Sequence, residues 1–193
     1  MISTHLSRRQ SLLGAAAGAA LAPFCSATWA AAEAQAGPVI LTVGGLVGAP
    51  NRGPFDPKRD RLFDHNNLSF QKARSFSAGE LASLPPHIVS ANIYGVDALA
   101  KGPRLQDILD AVKPAIGAKT ARLFALDGYG AGIALAEIQG QPWILAMEAG
   151  DRAFAIGDFG PLFAMRQLGP DEKKTEEEEA KWVHSLYYIE LAP

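Results

Sequence analysis

Asp127-Gly128-Tyr129 sets a carboxylate and a phenol beside each other at a turn, directly after the apolar run Arg122–Leu126. A carboxylate at a rim accepts two parallel hydrogen bonds from a paired N–H edge, and a tyrosine can stack or donate. The same residues have a structural reading. Asp-Gly is a common hairpin turn in which the aspartate bonds its own backbone, and Tyr129 suits a core edge with its hydroxyl in water. Other reactive types show less pattern. His65, His87 and His184 are far apart and lack metal-ligand spacing, so they read as surface or loop residues. Ser90 and Ser185 lack the context of an activated nucleophile. Arg52, Arg59 and Arg61 lie in one polar stretch; they read as solvated loop, or as contacts for an anionic ligand tail or a partner. Glu176–Glu179, with Lys173 and Lys174 placed four residues before Glu177 and Glu178, reads as a solvated helix face.

The N-terminus speaks to compartment. Ser7-Arg8-Arg9-Gln10-Ser11-Leu12-Leu13 sets paired arginines before a short Ala/Gly/Leu-rich run that ends at Phe24. That run is too short for a bilayer core of ~30 Å. A basic start, a short apolar stretch and small residues describe a signal peptide over residues 1–32, and the adjacent arginines give it the twin-arginine form. Cleavage is expected at Ser26-Ala27 or among Ala30–Ala32. It implies a periplasmic protein with no membrane insertion afterwards. Removing Arg8 and Arg9 and no acid lowers Lys+Arg from 18 to 16 against 20 Asp+Glu, a net charge of −4. Nothing in that balance suggests nucleic-acid binding. Cys25, the single cysteine, leaves with the signal.

The elements that must position these residues follow from pattern. Val39–Val43 reads as a strand ended by Gly44-Gly45, and Gly48–Asn67 as a long irregular loop. Ser77 and Glu80 have the spacing of a capping box, so a short helix starts there and stops at Pro85-Pro86. His87–Ile93 reads as a strand. Leu105, Ile108, Leu109 and Val112 share one helical face, closed by Pro114. Arg122–Leu126, Ile133–Leu135, Trp143–Met147 and Tyr187–Leu191 read as strands, and Gly160–Arg166 as a turn leading into another. Asp171–His184 reads as a charged helix, with Trp182 and Leu186 on one face. Short strands with two or three helices make one α+β domain over residues 38–193.

In this order the motifs resemble the molybdopterin-binding domain of sulfite-oxidase-type proteins. Leu41–Gly45 resembles its opening strand and Phe76–Pro85 its short helix. Gly102–Leu109 resembles the G-x-x-L-x-D-L-L helix, Leu126–Tyr129 the x-D-G-Y turn and Ile144–Ala146 the L-L-A strand. Gly160-Pro161-Leu162 resembles the G-P-L turn, and Lys181-Trp182 with Ile189–Leu191 the K-W…I-x-V ending. The resemblance implies a sulfite-oxidase-like α+β fold of short mixed strands. One departure stands out. The family's enzymes hold molybdenum through a cysteine on the strand that here reads His87-Ile88-Val89-Ser90-Ala91-Asn92-Ile93-Tyr94. Serine and asparagine are poor substitutes for a thiolate.

The chain resembles more closely a group of small exported proteins that share the fold, lack the cysteine and bind a reduced pterin. Those proteins pass the signal to the periplasmic domain of an inner-membrane enzyme that makes or degrades cyclic-di-GMP. The resemblance implies a non-catalytic pterin-binding regulator; the alternative is a molybdenum-cofactor-dependent oxidoreductase subunit. It places Asn92, Tyr94, Asp127, Gly128, Tyr129, Gly160, Lys181 and Trp182 around the cofactor. Asp127 suits the amino and N3–H edge of a pterin, with aromatic residues as its walls.

Overall fold

A computed structural model describes residues 37–169 and 171–193. The expected twin-arginine signal, residues 1–32, lies outside them. Five strands form the main sheet: β1 (Val39–Gly45), β2 (Arg74–Ser77), β5 (Thr120–Ala125), β6 (Gly130–Ala134) and β11 (Leu186–Ala192). Their order is β2-β1-β11-β5-β6, with β1 and β11 parallel and the other pairs antiparallel. The first and last described strands, β1 and β11, are therefore neighbours in the middle of this sheet. Leu41, Val43, Leu123, Ile189 and Leu191 line the core there, at most 1% exposed.

A second sheet joins β3 (Pro86–Ile93), β4 (Val96–Pro103), β8 (Glu148–Ala149) and β9 (Arg152–Ala153), and a two-stranded ladder joins β7 (Trp143–Ala146) to β10 (Phe163–Arg166). All of β7 and β10 is buried, which accounts for their continuous apolar runs. Gly102 in β4 lies against β7. A Cβ there would come within 1.9 Å of the Leu145 carbonyl oxygen, so only glycine permits this contact.

The helices are short. They are α1 (Arg61–His65), α2 (Ala78–Ser83), α3 (Leu105–Val112), α4 (Leu135–Gly140) and α5 (Glu176–Ala180). The capping box at α2 forms: the Glu80 N–H donates to Ser77 Oγ at 3.2 Å, and the Ser77 N–H donates to Glu80 Oε2 at 2.7 Å. In α3, Leu105, Ile108, Leu109 and Val112 are all buried, and the helix ends at Lys113 in the left-handed region, just before Pro114. No described helix is long and apolar enough to cross a membrane.

Several expectations need correction. The charged helix over Asp171–His184 is a single turn, α5. Thr175 caps its start, accepting from the Glu178 N–H at 3.1 Å. Glu172 turns away to Arg166, and Val183 pairs with Ala164. Leu186 belongs to β11, so it shares no helical face with Trp182. The strand expected at Ile133–Leu135 is Gly130–Ala134, and Leu135 opens α4, which sequence pattern did not suggest. Strand β4 carries little strand signal in its sequence. Its Ala, Gly, Lys and Pro are weak strand formers, and pairing with β3 overrides them. The Gly48–Asn67 loop contains α1, pinned because Phe63 inserts among Phe70, Tyr187 and Tyr188.

Candidate functional site

The hairpin joining β3 to β4 supplies one wall of a cleft. Tyr94 and Gly95 are its two turn residues, with φ of +49° and +87°. A two-residue hairpin requires such left-handed backbone, and Asn, Asp or Gly usually fill it. A tyrosine there costs about 1–2 kcal/mol. Tyr94 is 64% exposed, and its ring stacks flat on Phe159, at 5.5 Å between centroids and 4° between planes. Phe159 stacks in turn on Phe163 at 5.7 Å. One face of Tyr94 is thus backed by an aromatic ladder, in an otherwise unfavourable conformation.

Asn92 holds this turn. Its Oδ1 accepts from the Gly95 N–H at 2.9 Å, and its Nδ2 donates to Asp97 Oδ1 at 2.7 Å. Both polar atoms of its side chain are thus engaged in bracing the hairpin that carries Tyr94.

The opposite wall comes from the β5–β6 turn and the chain after α5. Asp127, Tyr129, Ala180, Trp182 and His184 join Tyr94, Glu176 and Glu179 around a cleft of about 370 Å³. That volume falls within the ~300–1,000 Å³ range of small-molecule sites. Asp127 Oδ1 accepts from the Tyr129 N–H at 2.9 Å, the local turn bond that its sequence allows. A carboxylate has further acceptor capacity on both oxygens. The Tyr129 hydroxyl, expected in water, instead donates to the Ala180 carbonyl at 2.6 Å and ties the turn to the end of α5.

Trp182 is buried, and its indole is fixed from behind. Its Nε1 donates to Glu178 Oε1 at 3.1 Å, and its ring meets Phe163 edge-on at 6.3 Å. Lys174 lies over its face at 5.0 Å while pairing with Glu179 at 2.8 Å.

Behind the indole lies an ion network, with a buried Arg166–Glu178 pair and an exposed Glu172, that sequence pattern missed. Arg166 ends β10 with its side chain 8% exposed. It pairs with Glu178 (Nε to Oε1, 2.7 Å; Nη2 to Oε2, 3.0 Å) and bidentately with Glu172. The hydrogen bonds it donates to Glu172 outweigh burial and hold the guanidinium protonated beyond its ordinary range. The Arg166 hydrogen bonds, with the Gly169 N–H, hold the Glu172 carboxyl at about 2. Glu178 is therefore not part of a solvated face, and the expected Lys173 and Lys174 pairs to Glu177 and Glu178 do not form. A lone arginine closing the apolar run Leu162–Met165 was the available signal, because a buried guanidinium needs carboxylates.

Asp158 knots the loop below Phe159. Burial pushes its carboxyl up, but the N–H groups of Ala155, Gly160 and Phe159 and the charge of Arg152 outweigh that and leave it below the ordinary range.

Four of the eight expected residues (Tyr94, Asp127, Tyr129 and Trp182) line the cleft. The other four do not. Asn92 braces the hairpin. Gly128, at φ +88°, makes the turn. Gly160 is buried against the Ala155 backbone, where a Cβ would sit 2.7 Å from a carbonyl oxygen. Lys181 points to Glu137, with Nζ at 3.2 Å from its Oε2. His184, read as a surface or loop residue, lies 6.2 Å from the Tyr94 ring and half-buried in the cleft wall.

With this geometry in hand, comparison with known proteins gives the fold. The structure is similar to that of a chain in the crystal structure of the sulfane dehydrogenase SoxCD from Paracoccus pantotrophus. The TM-score is 0.53 at 13% sequence identity, covering 79% of this chain and 37% of that one. This chain thus spans little more than a third of that chain's length. The fold class is α+β, sulfite-oxidase-like, as the motif order implies. No family model and no curated protein matches the sequence.

Proposed function

We propose that this chain is a periplasmic, non-catalytic protein that binds a reduced pterin in the cleft between Tyr94, Asp127, Tyr129 and Trp182. In this reading it relays pterin status to the periplasmic domain of an inner-membrane cyclic-di-GMP enzyme. The observation that carries it is the meeting of aromatic walls and an open carboxylate from three distant segments in one ring-sized cleft. A reduced pterin fits this donor set. Its 2-amino and N3–H edge donates two parallel hydrogen bonds, which Asp127 can accept, and its flat rings suit the exposed Tyr94 as a wall, with the buried Trp182 beside it.

The molybdenum cofactor fits less well. That cofactor carries a phosphate, whereas the acids of the cleft lining are Asp127, Glu176 and Glu179, and β3 offers no thiolate to a metal. Calorimetric titration of the purified protein with a tetrahydropterin tests the reading. Saturable binding in the micromolar range supports it, and no heat at high micromolar ligand removes it.

A second reading, a molybdenum-cofactor oxidoreductase subunit, is favoured by the fold shared with a sulfane dehydrogenase chain. Stoichiometric molybdenum in protein purified from its native host would promote that reading over the first.

A further inference from the structure

The long loop builds a second cleft of opposite character. It has a volume of about 370 Å³ and lies between β1, the loop with α1, and the 155–161 segment. Arg52, Arg59 and Arg61 line it, against one lining acid, Asp60. The three guanidinium groups are held differently. Arg52 is anchored by an ion pair to Asp60, a 3.4 Å contact to Thr42 Oγ1, and the faces of Phe70 and Phe63 at 5.0 and 5.5 Å. Arg61 pairs with Asp64 at 2.6 Å while its side chain stays 70% exposed. Arg59 makes no ion pair or side-chain hydrogen bond among the described residues.

The rim is apolar and open. Val39, Leu62 and Ile156 are 56%, 40% and 77% exposed, and all three line this cleft. Ile156 sits in the loop that Asp158 ties down through the Ala155 and Gly160 N–H groups. Asp60 in turn accepts from the Asp56 N–H at 2.9 Å, so the loop that carries the arginines is braced from within. A concave surface with a fixed guanidinium at its wall, an uncommitted one at its edge and bare aliphatic side chains around it has a defined chemical complement. Guanidinium forks match the two oxygens of a carboxylate or phosphate, and the aliphatic rim favours an apolar body attached to that group.

We propose that this second cleft binds a small amphipathic oxyanion, a carboxylate or phosphate monoester on an aryl or alkyl body, held by Arg59 with Arg52 and Arg61. The site shares no lining residue with the aromatic cleft.

The test titrates the purified protein with phenyl phosphate, benzoate and inorganic phosphate, followed by calorimetry or by amide shifts in NMR. Phenyl phosphate or benzoate is expected to bind with Kd at or below about 1 mM and about tenfold more tightly than inorganic phosphate, because only they cover the rim. Arg59→Ala should weaken that binding about tenfold. Its side chain is exposed, so an unchanged melting temperature shows that the variant is folded. The two organic probes distinguish the carboxylate from the phosphate source. Three results would overturn the site: no saturation by either organic probe, equal binding by Arg59→Ala, or organic probes that bind no more tightly than inorganic phosphate. A negative pterin titration leaves this result standing, and a negative phosphate titration leaves the pterin reading standing.

Discussion

The two clefts have similar volumes but are built in opposite ways. In the aromatic cleft, rings and the acids Asp127, Glu176 and Glu179 share the lining, and the Arg166–Glu178–Trp182 chain lies behind the rings. In the arginine cleft the rings lie behind, as a platform under Arg52, and the charges face outward. Buried charge fixes a geometry and exposed charge selects a ligand. The two linings differ in sign, acidic in one cleft and mainly basic in the other.

The sharpest way to break this comparison is to remove the hidden charge. Arg166→Met leaves Glu178 buried without its partner, and the expected loss is about 3 kcal/mol of stability or more, read as a lower urea midpoint. Binding at the aromatic cleft should fall with it, while phenyl phosphate binding at the arginine cleft persists under conditions where the variant is folded. Loss of both together would mean that the clefts are not independent.

Asp127→Ala addresses the exposed charge of the aromatic cleft. Losing a charged hydrogen bond costs about 1.5–3 kcal/mol of affinity, so calorimetry should show tetrahydropterin binding weakened by about tenfold or more, with little change in melting temperature. Unchanged affinity would remove Asp127 from the site even if pterin binds.

Tyr94→Asn separates strain from use. Asparagine tolerates the left-handed turn, a gain that offsets the lost stacking on Phe159. Stability should stay within about 1 kcal/mol of the parent while pterin affinity drops. A variant that melts much lower and binds normally would make Tyr94 a structural residue.

The smallest effect concerns Glu172. Its carboxyl is held at about 2, below an ordinary value of 4.5, chiefly by Arg166. A lowered folded-state value means that the contribution is present above pH 4.5 and is lost as pH falls toward 2. The melting temperature should decline across that window, and Glu172→Gln should flatten the decline. An equal slope in the variant would place the acid sensitivity elsewhere.

Much of this architecture was legible in sequence because local rules agreed with tertiary ones. The capping box at Ser77, the helix face from Leu105 to Val112 and the apolar run at Trp143 each satisfy one local constraint and formed as expected. The failures share a cause. The acidic stretch at Glu176 has helical propensity over more than three turns. Arg166 nevertheless draws in Glu172 and Glu178, and β10 takes Val183, so only one turn remains helical. Strand β4 is weak by composition and exists because β3 pairs with it along its whole length. His184 carries no motif, and its place beside Tyr94 depends on contacts nearly a hundred residues apart.

Residue identity alone settled the chemistry on offer: the carboxylate at Asp127, the missing thiol on β3, the arginines of the long loop, and the order of strand and helix motifs that names the fold class. Those are properties of side chains and of local periodicity, which need no partner to exist. Only the folded chain decided which of them meet. It brought Tyr94, Asp127, Tyr129 and Trp182 to one cleft, turned Asn92, Gly160 and Lys181 to structural duty, and set Arg59 beside a bare aliphatic rim. Convergence of distant side chains is fixed by strand pairing and core packing, and neither is encoded at any single position.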